Sequence, residues 1–299
     1  MKRIFLDILI YISIIFLLLY LFNHNYFDFR IIEYKLPLLI TSTMFLWLGF
    51  GLSGISWWNI LNKHKVVVSV NQAIISHGLA VFTKYIPGKI WSIIGRAGYI
   101  ARLSYPLKTT AFFSLKEQVI YIWEGLIISV IPMLIIYGFS LYVLLVVILS
   151  VFITFLLFFR SFHDWFIKIF WKITKRELDV PFLKFTVSIK IIYFVFLYWV
   201  VWLFAFYLFV ISFYENANIH VAFAFSLSVT VGLLAIIFPA GLGVREGVMG
   251  SYLIMTGIPL EISTVIVVYA RIWFFSGEVF IFTLALLLRL VKKFSSLRS

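Results

Sequence analysis

No cysteine occurs among the 299 residues, which excludes disulfides, thiol nucleophiles, haem-attachment motifs and thiolate metal sites. Acidic residues are scarce as well: 12 Asp and Glu stand against 25 Lys and Arg, and charged residues make up only 12% of the chain. With 64% hydrophobic residues, so few charges cannot cover a water-facing surface, which excludes an ordinary soluble domain and indicates a polytopic membrane protein. The five histidines, His24, His64, His77, His163 and His220, form no ligand-spaced pair, so neither a metal nor another cofactor is expected. A nucleotide-hydrolase phosphate loop, a serine elbow and a zinc-binding His-Glu motif are all missing. Gly241, Gly243 and Gly247 are spaced one position too long for a dinucleotide fingerprint and lack its strand-helix-strand setting.

What is present is a series of apolar runs. A hydrocarbon core of about 30 Å needs about 20 residues of helix, and runs at 1–22, 36–61, 109–137, 139–159, 190–213 and 261–289 meet that length. The first opens with Lys2 and Arg3 and carries no small-residue cleavage site, so it reads as a retained span. Two further apolar regions, 66–105 and 219–257, are interrupted by Gly and Pro. A helix broken at membrane depth leaves backbone groups that protein or a wet cavity must satisfy. These regions are therefore expected to be re-entrant hairpins facing a cavity.

The net charge of +13 would suggest nucleic acid in a soluble protein, but topology accounts for it here. With both hairpins re-entrant and both termini cytoplasmic, all but five of the 25 Lys and Arg fall on the inner side. The exceptions are Arg30, Lys35, Lys116, Arg245 and Arg271. Making either hairpin a full span would move the basic 160–190 stretch or the carboxyl tail outside. The expectation is thus a single all-α integral domain over 1–299 in the plasma membrane, with six spanning helices, two inverted re-entrant helical hairpins and no nucleic-acid partner. The segment 160–190 places Phe162, Trp165, Phe166, Ile169, Phe170 and Ile173 at helical spacing, apart from Lys168, Lys172, Lys175 and Arg176. This is the pattern of an amphipathic helix on an anionic inner leaflet.

The two broken regions correspond to each other. Pro87 precedes Pro106 by 19 residues and Pro239 precedes Pro259 by 20. Each second proline is followed by a spanning helix with embedded charge: Lys116, Glu117 and Glu124 in one, Arg271 and Glu278 in the other. Segments 66–137 and 219–289 therefore read as inverted pseudo-repeats, a transporter architecture. Glu117 and Arg271 fall at near-equivalent depths, which predicts an ion pair between the repeats, either as structural glue or as a group that changes state during transport. The helix breaks at Pro87-Gly88 and at Pro239, Gly241 and Gly243 start new helices whose free N–H groups favour anions. Lys89 and Arg96 follow the first break; Arg245 and Glu246 follow the second. The guanidiniums suit bidentate phosphate binding. Lys84, Lys89 and Arg96 have snorkelling to the headgroups as the simpler alternative, and Arg245 with Glu246 have anchoring. The tryptophans, Trp57, Trp58, Trp199 and Trp202 among them, are read as interface-belt or packing residues.

Lys84-Tyr85-Ile86-Pro87-Gly88-Lys89-Ile90-Trp91 with Gly95-Arg96, and Pro239-Ala240-Gly241-Leu242-Gly243-Val244-Arg245-Glu246, resemble the paired motifs of the lysylphosphatidylglycerol synthase transmembrane region, also called flippase-like. The resemblance covers most of the chain. It implies re-entrant helices that move a lipid between leaflets, often an aminoacylated phospholipid or a polyprenyl-linked sugar, and it supports Pro87, Gly88, Arg96, Gly243, Arg245 and Glu246 as site residues. Ala240 departs from the second glycine common in that family. The sequence to Ser299 holds no soluble aminoacyl-transferase domain, so the chain is not expected to make aminoacylated lipid itself.

The leading expectation is a lipid translocase whose partner is an anionic or phosphate-linked lipid, bound by Lys89, Arg96, Glu117, Arg245, Glu246 and Arg271. One alternative is an intramembrane lipid-modifying transferase using Glu117, Glu124 or Glu246 as general base. Another is a scaffold that docks a partner glycosyltransferase or lipid synthase through the basic 160–190 segment. The small-residue run Gly49-Phe50-Gly51-Leu52-Ser53-Gly54 can pack helices within one subunit or build a homo-oligomer.

Overall fold

The computed structural model describes residues 34–86, 90–174, 182, 185–235, 241 and 243–296. Among them the chain is all-helical. Five helices are long and apolar enough to cross a membrane: α1 (Leu36–Lys63), α4 (Leu107–Tyr137), α5 (Leu141–Phe158), α7 (Phe185–Phe213) and α10 (Leu260–Ser296). They correspond to five of the six expected spans. The first, 1–22, lies outside the described residues.

Both interrupted regions fold as pairs of short helices. In the first, α2 (Val70–Ala80) and α3 (Trp91–Ala101) flank a 3-10 turn at Val81–Tyr85. In the second, a 3-10 turn at Ile219–Ala222 leads into α8 (Phe223–Leu234), and α9 (Val244–Met255) follows the break. At 1.5 Å per residue each short helix covers about 16–18 Å, roughly half of a bilayer core. The two helices of each pair pack side by side. Ser69 starts α2 with a reciprocal cap: its Oγ accepts from Gln72 N at 3.2 Å, and Gln72 Oε1 accepts from Ser69 N at 2.9 Å. At the other break Gly243 takes a left-handed φ of 80°, which glycine adopts without the steric cost of a Cβ.

Lipid is as apolar as leucine, so helices in a membrane associate through close packing and hydrogen bonds rather than solvent exclusion. The broadest interface joins α1 to α7 in antiparallel order. Ser42 Oγ donates to Ala205 O at 2.8 Å and Trp202 Nε1 to Leu46 O at 3.2 Å. Gly49 gives Trp202 its place on α1, and a side chain at Gly49 would overlap the indole. Gly54 faces Ile74 of α2, while Gly277 of α10 admits Phe50. The small-residue run on α1 thus packs helices within the subunit, and only Gly51 faces open space. Trp57, Trp199 and Trp202 are buried core residues rather than members of an interface belt.

Helix α6 (Arg160–Thr174) carries the expected amphipathic pattern but divides its aromatics. Phe162 and Phe166 pack on Phe152 of α5 at ring distances of 5.5 and 5.8 Å, whereas Trp165 remains 52% exposed. The apolar face is therefore shared between α5 and the surroundings.

Just beyond the end of α1, His64 stacks on Phe113 at 4.0 Å with its Nε2 buried and unpartnered. Burial, and then the nearby Lys116 charge, push its pKa below 6.5. The folded state thus resists a proton that the unfolded chain accepts, so this contribution to stability is intact above pH 6.5 and declines as pH falls below that value. Thermal unfolding of purified protein should show a loss on acidification from pH 7.5 to 5.5 that His64→Phe, which keeps the stack, reduces.

Candidate functional site

The two helix pairs, α1, α4, α7 and α10 enclose a cavity of about 430 Å³. Lys84, Arg96, Arg245 and Arg271 line it with the carboxylates Glu117 and Glu278, so its charged wall carries a formal excess of two positive charges. Phe50, Tyr85, Tyr121, Tyr198, Trp202 and Phe274 supply aromatic surface. Four of the six expected binding residues, Arg96, Glu117, Arg245 and Arg271, meet here. Pro87, Gly88, Lys89 and Pro239 lie outside the described residues.

Arg96 comes from α3 and is only 8% exposed, so it does not snorkel. Its Nη1 donates to Glu117 Oε2 at 2.5 Å, Nε to Ser114 Oγ at 2.5 Å and Nη2 to Ser114 O at 2.8 Å. The guanidinium also lies over the Trp57 ring at 4.3 Å. Glu117 Oε1 accepts a further bond from Ser56 of α1 at 2.7 Å. Charges buried in this way need both partnership and hydrogen bonds, and this pair has them.

The second half repeats the pairing with the signs exchanged. Glu246, in the first turn of α9, accepts from Gly243 N at 2.7 Å and from Arg271 Nη1 of α10 at 3.4 Å. It thereby caps α9, and it sits behind Arg271 rather than on the cavity wall. The expected Glu117–Arg271 pair does not form, because each residue finds an opposite charge on the short helices of its own half. Among the described residues the ion pair between halves is instead Lys84–Glu278, with Nζ to Oε1 at 2.5 Å; Tyr85 OH donates to Glu278 Oε2 at 2.8 Å. Lys84 is thus another cation held inward rather than snorkelling.

Arg245 differs from these. It is 8% exposed, its guanidinium lies 4.4 Å from the Phe274 ring centroid and 5.4 Å from that of Phe225, and among the described residues no carboxylate lies within ion-pair distance. Arg271 Nη2 is likewise buried without a hydrogen-bond partner. The wall therefore presents the aromatic-stacked Arg245 guanidinium, without an ion-paired carboxylate among the described residues, and the unpartnered Nη2 of Arg271. Aromatic faces orient such a cation without neutralising it.

Two glycines set this arrangement. Gly241, at φ 72°, approaches Gly232 of α8 so closely that a Cβ would lie 2.8 Å from both its Cα and its carbonyl oxygen. A Cβ on Gly232 would in turn lie 3.3 Å from Arg245 Cβ. The break brings the end of α8 against the start of α9 and directs Arg245 inward.

No known family, curated protein or solved structure matches the chain.

Ser53 and His77 were not singled out by sequence, yet both line the cavity, with Oγ and Nε2 3.0 Å apart. This spacing would suit a nucleophile and its base, but Ser53 Oγ donates its one proton to Phe50 O at 2.8 Å. While it does so the hydroxyl can only accept from His77, the reverse of what nucleophile activation requires. Tyr85, Tyr121 and Trp202 were also missed as wall residues, since spacing along a helix does not reveal which aromatics face a cavity.

Proposed function

We propose that this protein is a flippase-like lipid translocase, in which the headgroup of an anionic phospholipid or of a polyprenyl-phosphate-linked glycan occupies the cavity while its tail remains in the bilayer. The observation that carries this reading is Arg245: a buried guanidinium stacked on aromatic rings and facing a cavity, with no carboxylate among the described residues paired to it. A phosphate would supply the missing charge and accept a bidentate fork from it. Only a headgroup-sized polar site is needed, because the tail stays in lipid throughout.

In this reading the two helix pairs are re-entrant, entering from opposite sides and meeting at the cavity, and both termini are cytoplasmic. Short helices of roughly half the bilayer thickness and the inverted-repeat spacing support it. The motif resemblance to the lysylphosphatidylglycerol synthase transmembrane region points the same way.

The test uses vesicles of phosphatidylcholine containing a fluorescent phosphatidylglycerol, reconstituted with wild-type protein, Arg245→Ala or Arg245→Lys. The expected result is lipid translocation by the wild type, at least a tenfold reduction in Arg245→Ala with unchanged folded yield, and partial recovery in Arg245→Lys, which retains charge without the fork. Equal rates in wild type and Arg245→Ala would refute the assigned role.

A further inference from the structure

Glu124 has no part in the site described above. It is 4% exposed in the middle of α4, and neither carboxyl oxygen has a hydrogen-bond partner among the described residues. The other embedded glutamates contrast with it. Glu117 is held by Arg96 and Ser56, Glu278 by Lys84 and Tyr85, and Glu246 by Arg271 and the Gly243 amide. A carboxylate without donors in an apolar interior is far costlier than its neutral acid, because desolvation penalises the charge and nothing compensates it.

Among the described residues no cation is paired with it. Helix α4 packs on α1, α3, α5, α7 and α8. Among their described residues, α8 carries no ionisable side chain, α1 only Lys63 at its end, and α5 only Tyr142, beside Tyr137 at the far end of α4. Helix α3 brings Arg96, which is committed to Glu117, and Tyr99. On α4 itself the nearest titratable groups along the helix are Tyr121 and Glu117, one and two turns before Glu124. Helix α7 carries Lys190 and Tyr193, both exposed, Tyr207, and Tyr198, whose phenol lies within electrostatic range of both Glu117 and Glu124 and forms part of the cavity wall.

We infer that Glu124 is a proton-binding site, occupied and sealed in this conformation, which exchanges its proton with the cavity when the halves rearrange and so links lipid movement to protons. The event is the making or breaking of one O–H bond on the carboxyl group, with the proton passing to or from cavity water. Tyr198, on the cavity wall and within electrostatic range of Glu124, is the side chain through which that exchange would pass. Embedded acids of this kind mark proton pathways in transporters. The linkage to lipid movement rests on the translocase reading; the proton site itself does not.

Infrared spectroscopy of the full chain in phosphatidylcholine/phosphatidylglycerol vesicles tests the site directly. Wild type minus Glu124→Gln at pH 7 should show a protonated carboxyl band that shifts in D2O and gives way to carboxylate bands as pH rises. Glu124→Asp, which keeps the acid, should move the band and serves as the comparison if the glutamine variant does not accumulate. Carboxylate bands already present at pH 7 would overturn the inference and indicate an ionised group holding a cation such as sodium. A protonated band that persists at every accessible pH would also overturn it, leaving a neutral structural acid.

The translocation assay then tests the linkage. Wild-type rates should vary with pH across the range in which the band titrates, while those of Glu124→Gln should be flat at equal folded yield. Identical pH profiles would overturn the linkage. If the wild type moves no lipid, the translocase reading fails, and the infrared result still decides whether Glu124 holds a proton.

Discussion

Arg96→Ala is expected to cost about 3–5 kcal/mol and most of the folded yield, because it strands Glu117 as a buried charge. The carboxylate would retain only the Ser56 hydroxyl, and Ser114 would lose both of its bonds to the guanidinium. Removing both charges should be far milder, because Arg96→Met with Glu117→Gln leaves no ion uncompensated. Monodisperse yield and thermal unfolding of the two single variants and the double would measure the coupling. Strictly additive losses would show that the two residues do not act as a unit. The same cycle separates structure from transport: a folded double variant that still moves lipid would assign this pair to scaffolding and leave Arg245 and Arg271 as the anion contacts.

Gly241→Ala should be comparably damaging, while Gly243→Ala should not. Both glycines have positive φ, so each alanine incurs about 1–2 kcal/mol of backbone strain. The added methyl at Gly243 meets nothing within 4 Å, but at Gly241 it meets the backbone of Gly232, which has no rotamer to change. Overpacking adds about 1–3 kcal/mol, so the expected gap between the variants is of that order, read as a difference in midpoint of thermal unfolding. A displaced break would also redirect Arg245, so under the translocase proposal any Gly241→Ala protein that folds should show reduced translocation. Equal midpoints for the two variants would contradict the close approach of α8 and α9.

Much of this was legible in the sequence. Five spans announce themselves because about 20 apolar residues are what a bilayer requires, and the two interrupted regions announce themselves because Gly and Pro are rare within such runs. The inward placement of Arg96, Glu117, Arg245 and Arg271 followed from the cost of leaving charge in lipid. Pairing was not legible. Equivalent depth suggested Glu117 with Arg271, but depth fixes only one coordinate, and the rotation of α3 and α9 about their axes decides which charge is within reach. The tryptophans were open between belt and packing for a related reason, and only the helix arrangement decides for packing, placing Trp57 beneath Arg96 and Trp202 against Gly49. Glu246 combined two signals, a first-turn acid and a neighbour of Arg245, and the structure assigns it to the capping position.

Glu278 holds two consecutive residues, Lys84 and Tyr85, with its two oxygens. One side chain thus ties the turn before the first break to the opposite half of the molecule. Its inheritance is constrained accordingly. A lineage that loses the acid at 278 leaves a lysine stranded at 84, so the three positions are expected to change together. In diverging relatives they would behave as a single character, and correlated variation at 84, 85 and 278 would trace this tie in sequences whose structures have never been determined.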